Sequence, residues 1–208
     1  MPLLKTQMLN KQSGWALWYI TESENELSEI SNETVDVSLI SSTKRLEWLA
    51  GRSLIKALVE NCGLDFYGIE KDEFGKPFLK HNSHYISLSH SYPYVAAQID
   101  PVRAVGIDLE QPKSKLLNIA HRVLSPVELN DAGSDVVKHC IYWCGKEAMY
   151  KSYGKRGLSF ANHLLIEPFE RMRTGDLRGK IIAHGNSREL TLAYSVQTDY
   201  VLVFTTPG

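Results

Sequence analysis

The hydrophobic pattern of the chain alternates between two periods, and the changes mark its elements. In residues 42–61, Leu46, Leu49, Ala50, Ser53, Leu54, Ala57 and Leu58 recur at steps of three and four. That spacing predicts a helix, capped by Ser41 or Ser42 and stopped by Gly63. Residues 140–158 read as a second helix followed by a basic, glycine-punctuated turn. Runs rich in aromatic and β-branched residues predict strands at 14–21, 66–70, 104–110, 163–167, 179–184, 190–197 and 200–205, with a strand–turn–strand unit at 85–99. Residues 22–36 are polar and acidic, fitting a short helix and a surface loop. Ser125, Pro126 and Glu128 stand as N-cap, N1 and N3 of a capping box. Each half therefore carries one long helix followed by short strands. The order predicts an α+β, pseudo-duplicated protein with lobes at 1–99 and 100–208 and a ligand in the seam between them.

Some positions break the pattern. The stripe of the second helix, traced in threes and fours, runs Val136 or Val137, Cys140, Trp143 or Cys144, then Glu147 and Lys151. Either Glu147 and Lys151 form a solvated i,i+4 pair, or they point into a cleft, where a carboxylate must be paired or bound to a cation. In 104–110, strand alternation places Gly106, Asp108 and Glu110 on one face and Val105, Ile107 and Leu109 on the other. Two carboxylates at i,i+2 repel, so this is either a half-exposed strand end or a site for a hard divalent cation such as Mg2+ with substrate phosphates.

Basic groups gather at four places. Arg45, Arg52 and Lys56 lie off the core stripe of the first helix, as a solvated face or as phosphate contacts. Lys76 is held between Gly75 and Pro77 on a stiff turn suited to presenting a charge. Ser87, Ser89 and His90 stand at the turn of the 85–99 unit; His90 either caps the hairpin or joins a site there. Without a third partner or a G-x-S-x-G elbow they do not form a Ser–His hydrolase. Lys151, Lys155 and Arg156 crowd the carboxyl end of the second helix, to contact phosphates or to complement its dipole.

The 208 residues carry a net charge of -1, which gives no case for nucleic acid as a partner. Residues 1–99 hold 9 Lys/Arg against 12 Asp/Glu and residues 100–208 hold 14 against 12, a mild bias toward an anionic ligand in the second half. No apolar run approaches the ~20 residues that span a bilayer, and residues 1–14 lack the apolar core of a secretory signal. Cys62, Cys140 and Cys144 have no partners that complete a zinc site, and they read as small core residues in a reducing cytoplasm.

Together, FGKPF (74–78), SHS (89–91), VGIDLE (105–110), LSPVE (124–128) and WCGKEAMYKSYGKRGLSF (143–160) resemble the 4'-phosphopantetheinyl transferases. The likeness is to the longer, two-lobed, surfactin-synthetase-activating type and not to the short trimeric holo-acyl-carrier-protein synthase. Order and spacing across residues 74–160 carry it.

The resemblance implies a Mg2+-dependent transfer of 4'-phosphopantetheine from coenzyme A to a serine of an apo acyl or peptidyl carrier protein, with 3',5'-ADP released. It implies that Asp108, Glu110 and Glu147 hold Mg2+, that Glu147 is the base acting directly or through water, and that Lys151 steadies the phosphates. Lys76, Ser89 and His90 then contact the nucleotide and its 3'-phosphate, with Arg45 or Arg52 from the first lobe and Lys155 from the second. Some members use first-lobe lysines for that phosphate, but residues 23–39 contain none. Glu128 matches an acid near the metal site, so a cap and a supporting role compete. Met149, Tyr150, Tyr153 and residues 113–122 are either carrier-facing or ordinary core and surface. A duplicated chain predicts a monomer. Two other functions fit the same residues: an inactive binding member of the fold, and a metal-dependent phosphohydrolase.

Overall fold

A computed structural model describes residues 3–35 and 41–207 of the chain. The chain divides into two compact units, Met1–Val105 and Gly106–Gly208. The division falls past the expected 99/100 boundary because the last strand of the first unit continues through Asp100.

The first unit runs β1 (Leu3–Met8), β2 (Gly14–Tyr19), α1 (Glu24–Ser31), α2 (Ser42–Asn61), β3 (Ile69–Lys71), β4 (Pro77–Leu79), β5 (Tyr85–Ser91) and β6 (Tyr94–Asp100). Its strands form one antiparallel sheet in the order β1-β2-β6-β5-β4-β3. α2 has the bounds that its periodicity predicts, and it buries Leu49, Ala50, Leu54 and Leu58 against Ala16, Trp18, Ile86, Val95, Ala97 and Ile99 of the sheet. Each leucine or isoleucine fully buried there contributes about 1.5–3 kcal/mol. β1 was not expected; it is an edge strand, where Lys5 and Gln7 are tolerated. In the acidic stretch, Ser23 and Glu26 make a capping box for α1, whose Leu27 is fully buried. The last residue of that stretch, Asp36, lies outside the described residues.

The second unit runs β7 (Ile107–Glu110), α3 (Lys115–Val123), α4 (Pro126–Ala132), α5 (Val136–Tyr153), α6 (Phe160–His163), β8 (Leu164–Ile166), β9 (Thr174–Ala183), β10 (Asn186–Val196) and β11 (Val201–Thr205). The sheet is again antiparallel, ordered β7-β11-β10-β9-β8. α5 packs on this sheet and starts four residues before the expected 140, because Asp135 caps it by accepting from the Val137 and Lys138 N–H groups. It is buried nearly all round, with Cys140, Ile141, Tyr142, Cys144, Ala148 and Met149 all in the core. Among the described residues, no helix is long and apolar enough to cross a membrane.

One contact sets how closely β7 approaches α5. A Cβ on Gly106 would lie 1.8 Å from the Ala148 carbonyl oxygen, so only glycine permits this approach. Two hydrogen bonds pin the same residue: Gly106 N–H donates to Thr205 Oγ1 (3.1 Å), and Thr205 N–H donates to the Gly106 carbonyl (2.9 Å). Gly106→Ala is expected to push β7 away from α5 at a cost at or above the usual ~1–3 kcal/mol of overpacking. Denaturant unfolding measures it, and an unchanged midpoint would refute the tight approach.

Candidate functional site

The close approach of β7 to α5 assembles the acids of the second unit. Asp108, almost fully buried, faces α5, and its Oδ1 accepts from Lys151 Nζ at 2.7 Å. Lys151 Nζ also donates to the Ile107 carbonyl at 3.0 Å, so it is tied to β7 twice. One turn earlier on α5, Glu147 is half-buried. Burial and the nearby Asp108 carboxylate raise its pKa from 4.5 to about 7, against the opposing pull of Lys151. The stripe expected on this helix is present. Cys140 Sγ lies 3.7 Å from the Glu110 carbonyl, Cys144 Sγ lies 3.9 Å from the Val201 carbonyl, and Lys151 ends the row on Asp108. All three cysteines are buried and unpaired.

Glu110, the last residue of β7, is turned differently. Its Oε1 accepts from the Gln111 N–H at 2.8 Å, and its Oε2 lies 3.7 Å from Lys115 Nζ. Among the described residues, no three His, Cys, Asp or Glu side chains are gathered tightly enough to hold a metal ion by themselves. Asp108 and Glu147, repelling each other on adjoining elements with one lysine beside them, still form a donor set that fits a hard divalent cation. Such a cation takes one or two carboxylates and completes its shell with phosphate oxygens.

Glu128 settles a separate question. It caps α4 through Ser125 N–H (2.6 Å), accepts from Ile166 N–H (2.8 Å), and pairs with Lys146 Nζ at 2.6 Å. Lys146 is fully buried, donates also to the Phe160 carbonyl (2.9 Å), and immediately precedes Glu147. Burial lowers the pKa of Lys146, and Glu128 opposes the drop. Glu128 is thus both a cap and one half of a buried ion pair beneath the acid-bearing turn of α5.

In the first unit the basic candidates separate. Arg45 Nε is 2.8 Å from Glu24 Oε2. Arg52 lies 3.3 Å over the Trp48 ring, with Nε 3.6 Å from Glu33 Oε1. Lys56 donates to the Ile30 carbonyl at 3.0 Å. Lys76 ends the turn as expected: Gly75 has φ +88°, and Asp72 organises the loop by accepting from the Phe74 and Lys76 N–H groups. His90 is half exposed near the end of β5, whereas Ser87 and Ser89 are buried. Lys155 lies exposed just past α5. Met149 is core, and Tyr150 and Tyr153 pack against that core, whereas Lys115, Leu117, Asn118, His121 and Arg122 form an exposed side of α3 that carries two cations and no acid.

Sequence reasoning missed three residues: Lys146, Asp72 and Glu47. Glu47 shares the buried stripe of α2 with Gly51, Leu54 and Leu58. An acid on an apolar stripe was the signal used for Glu147, and the same signal was present in α2.

Residues 104–205 match the family model described as the 4'-phosphopantetheinyl transferase superfamily. A curated relative from Bacillus subtilis, a 4'-phosphopantetheinyl transferase, is 34% identical over 123 residues, covering 53% of this chain and 53% of that protein. The match therefore spans about half the length of that relative.

Proposed function

We propose, from the match of residues 104–205 to the 4'-phosphopantetheinyl transferase superfamily model, that the chain transfers 4'-phosphopantetheine from coenzyme A to a serine of an apo acyl or peptidyl carrier protein. The observation that carries the reading is the meeting of Asp108, Glu147 and Lys151 where β7 packs on α5. Asp108 and Glu147, with Glu110 from the same strand, are the residues that would hold Mg2+, whose chemistry when bound is to neutralise the pyrophosphate oxygens.

The serine hydroxyl attacks the β-phosphorus of coenzyme A, the bond to the bridging oxygen breaks, and 3',5'-ADP leaves with that oxygen. The serine proton passes to Glu147, directly or through water. A carboxylate positioned within reach of the hydroxyl suits that task. Lys151, anchored on Asp108 and the Ile107 carbonyl, keeps its ammonium beside the phosphates and holds the Asp108 carboxylate in one orientation. Lys76, Ser89 and His90, Arg45 or Arg52, and Lys155 are the residues we propose as candidates for the nucleotide end. Of the two arginines, Arg52 is stacked on Trp48 and is the less exposed, whereas Arg45 is hydrogen-bonded to Glu24. The basic side of α3 suits an acidic carrier protein. Three unpaired, buried cysteines support a reducing, cytoplasmic setting, and a monomer is expected by size exclusion.

Intact-mass analysis tests the function. An apo carrier protein incubated with this protein, coenzyme A and Mg2+ is expected to gain one phosphopantetheine, and to gain nothing in chelator or when its serine is alanine. No gain with acyl, polyketide and peptidyl carriers alike would overturn the reading.

A further inference from the structure

Packing alone does not account for Glu47. It sits on the buried side of α2 with only 5% of its surface exposed. A carboxylate in that position is costly unless paired and hydrogen-bonded. Three donors meet it: Lys44 Nζ at 2.7 Å and His90 Nδ1 at 3.1 Å on Oε2, and Tyr92 N–H at 3.2 Å on Oε1. Burial pushes the Glu47 carboxyl up, but the hydrogen bonds and charges of His90 and Lys44 outweigh it and hold the pKa at about 2. It is therefore an ionised acceptor throughout the working range.

Lys44 and the Tyr92 N–H are ordinary partners for a buried acid. His90 is different, because 46% of its side chain is exposed while one ring nitrogen is anchored. An ionised carboxylate can only accept, so the nitrogen facing it carries hydrogen, and Nδ1–H is fixed. Nε2 is then the nitrogen left for a further partner. A carboxylate that sets the tautomer and orientation of an imidazole in this way is a recurring device for presenting the second nitrogen to a ligand.

We propose that Glu47 is the positioning residue for His90, locking Nδ1–H against its carboxylate so that Nε2 is presented to the nucleotide end of the ligand. This rests on the reading of His90 as a coenzyme A contact.

Long-range 1H–15N spectra test it in the whole protein, with the His90 ring identified by its loss in His90→Ala. In the wild type, the neutral His90 ring is expected to carry its proton on Nδ1, and 3',5'-ADP used as the probe is expected to shift Nε2. In Glu47→Ala the proton should move to Nε2. Steady-state kinetics add a second readout. Glu47→Ala should raise KM for coenzyme A about tenfold with kcat within about threefold, an effect the size of one lost charge-assisted hydrogen bond. His90→Ala should match it, the double variant should lose nothing more, and Glu47→Gln, which keeps an acceptor oxygen, should recover most of the loss. A wild-type ring protonated on Nε2, or single effects that multiply in the double variant, would overturn the proposal. Should Glu47→Ala fail to fold, the wild-type tautomer and Glu47→Gln still decide it. Absence of carrier modification by the wild type would remove the functional reading, while the tautomer and the 3',5'-ADP shift would still judge Glu47.

Discussion

Glu147→Gln is expected to abolish transfer while making the metal-free protein more stable. The two effects have one cause. Burial and Asp108 raise the Glu147 pKa from 4.5 to about 7, so the folded state holds a proton that the unfolded state has already released. Between those pH values the folded state binds more protons, and stability must fall as pH rises. Above about 7 both states are ionised and the penalty is constant, at about 3 kcal/mol for a shift of this size. Glutamine removes the penalty and with it the proton acceptor, so transfer should fall by ~10³-fold, within the range seen for loss of a positioned general base. Unfolding in chelator at pH 4.5, 6 and 8, beside single-turnover transfer, checks both. A variant no more stable than wild type at pH 8, or active within a few-fold, would contradict the arrangement.

The second large effect is structural. Glu128→Ala should destabilise the protein by about 3–5 kcal/mol, because among the described residues it leaves the buried Lys146 ammonium with the Phe160 carbonyl alone. It also removes the α4 cap and the acceptor for Ile166 N–H. The pH dependence separates these losses. Burial already lowers the Lys146 pKa, and without Glu128 that lowering deepens. The folded state then binds fewer protons than the unfolded state, so the variant should regain stability as pH rises toward the ordinary lysine value. Lost cap and backbone bonds alone would give a deficit independent of pH. Lys146→Met should be less costly than Glu128→Ala, since Glu128 keeps two N–H donors. Equal unfolding midpoints for wild type and Glu128→Ala would contradict the buried pair.

Local pattern was enough for α2, where an apolar face decides the structure, for the Ser125–Glu128 capping box, where a local hydrogen bond does, and for the β5–β6 unit, where two β-prone runs flank a turn. Elsewhere the reading failed. β1 is a polar edge strand without a clear alternation, whereas α3 carries a legible stripe, Leu116, Ile119, Ala120 and Val123 at steps of three and four, that the reading passed over. In the β9–β10 hairpin the reading missed the exposed start of β10, Asn186–Glu189, which has no core to pattern it, and also the start of β9, where buried Leu177 alternates with exposed Asp176 and Arg178. The acid-bearing stripe of α5 was legible because Glu147 interrupts an apolar row. How closely β7 approaches was not legible, since it depends on a contact between Gly106 and Ala148, 42 positions away in the chain. Glu110 shows the limit of strand alternation: it shares a face with Asp108, yet at the strand end it accepts from the Gln111 N–H and lies near Lys115.

The most direct test of the account is the stoichiometry of one turnover. Coenzyme A, Mg2+ and a modifiable apo carrier protein are mixed with the protein, and 3',5'-ADP released is measured against carrier molecules that gain phosphopantetheine. Direct transfer to the serine predicts one 3',5'-ADP per modified carrier and none when the carrier is omitted. Release of 3',5'-ADP without carrier, at a rate comparable to that with it, would mean that water is the acceptor and would contradict the transferase reading.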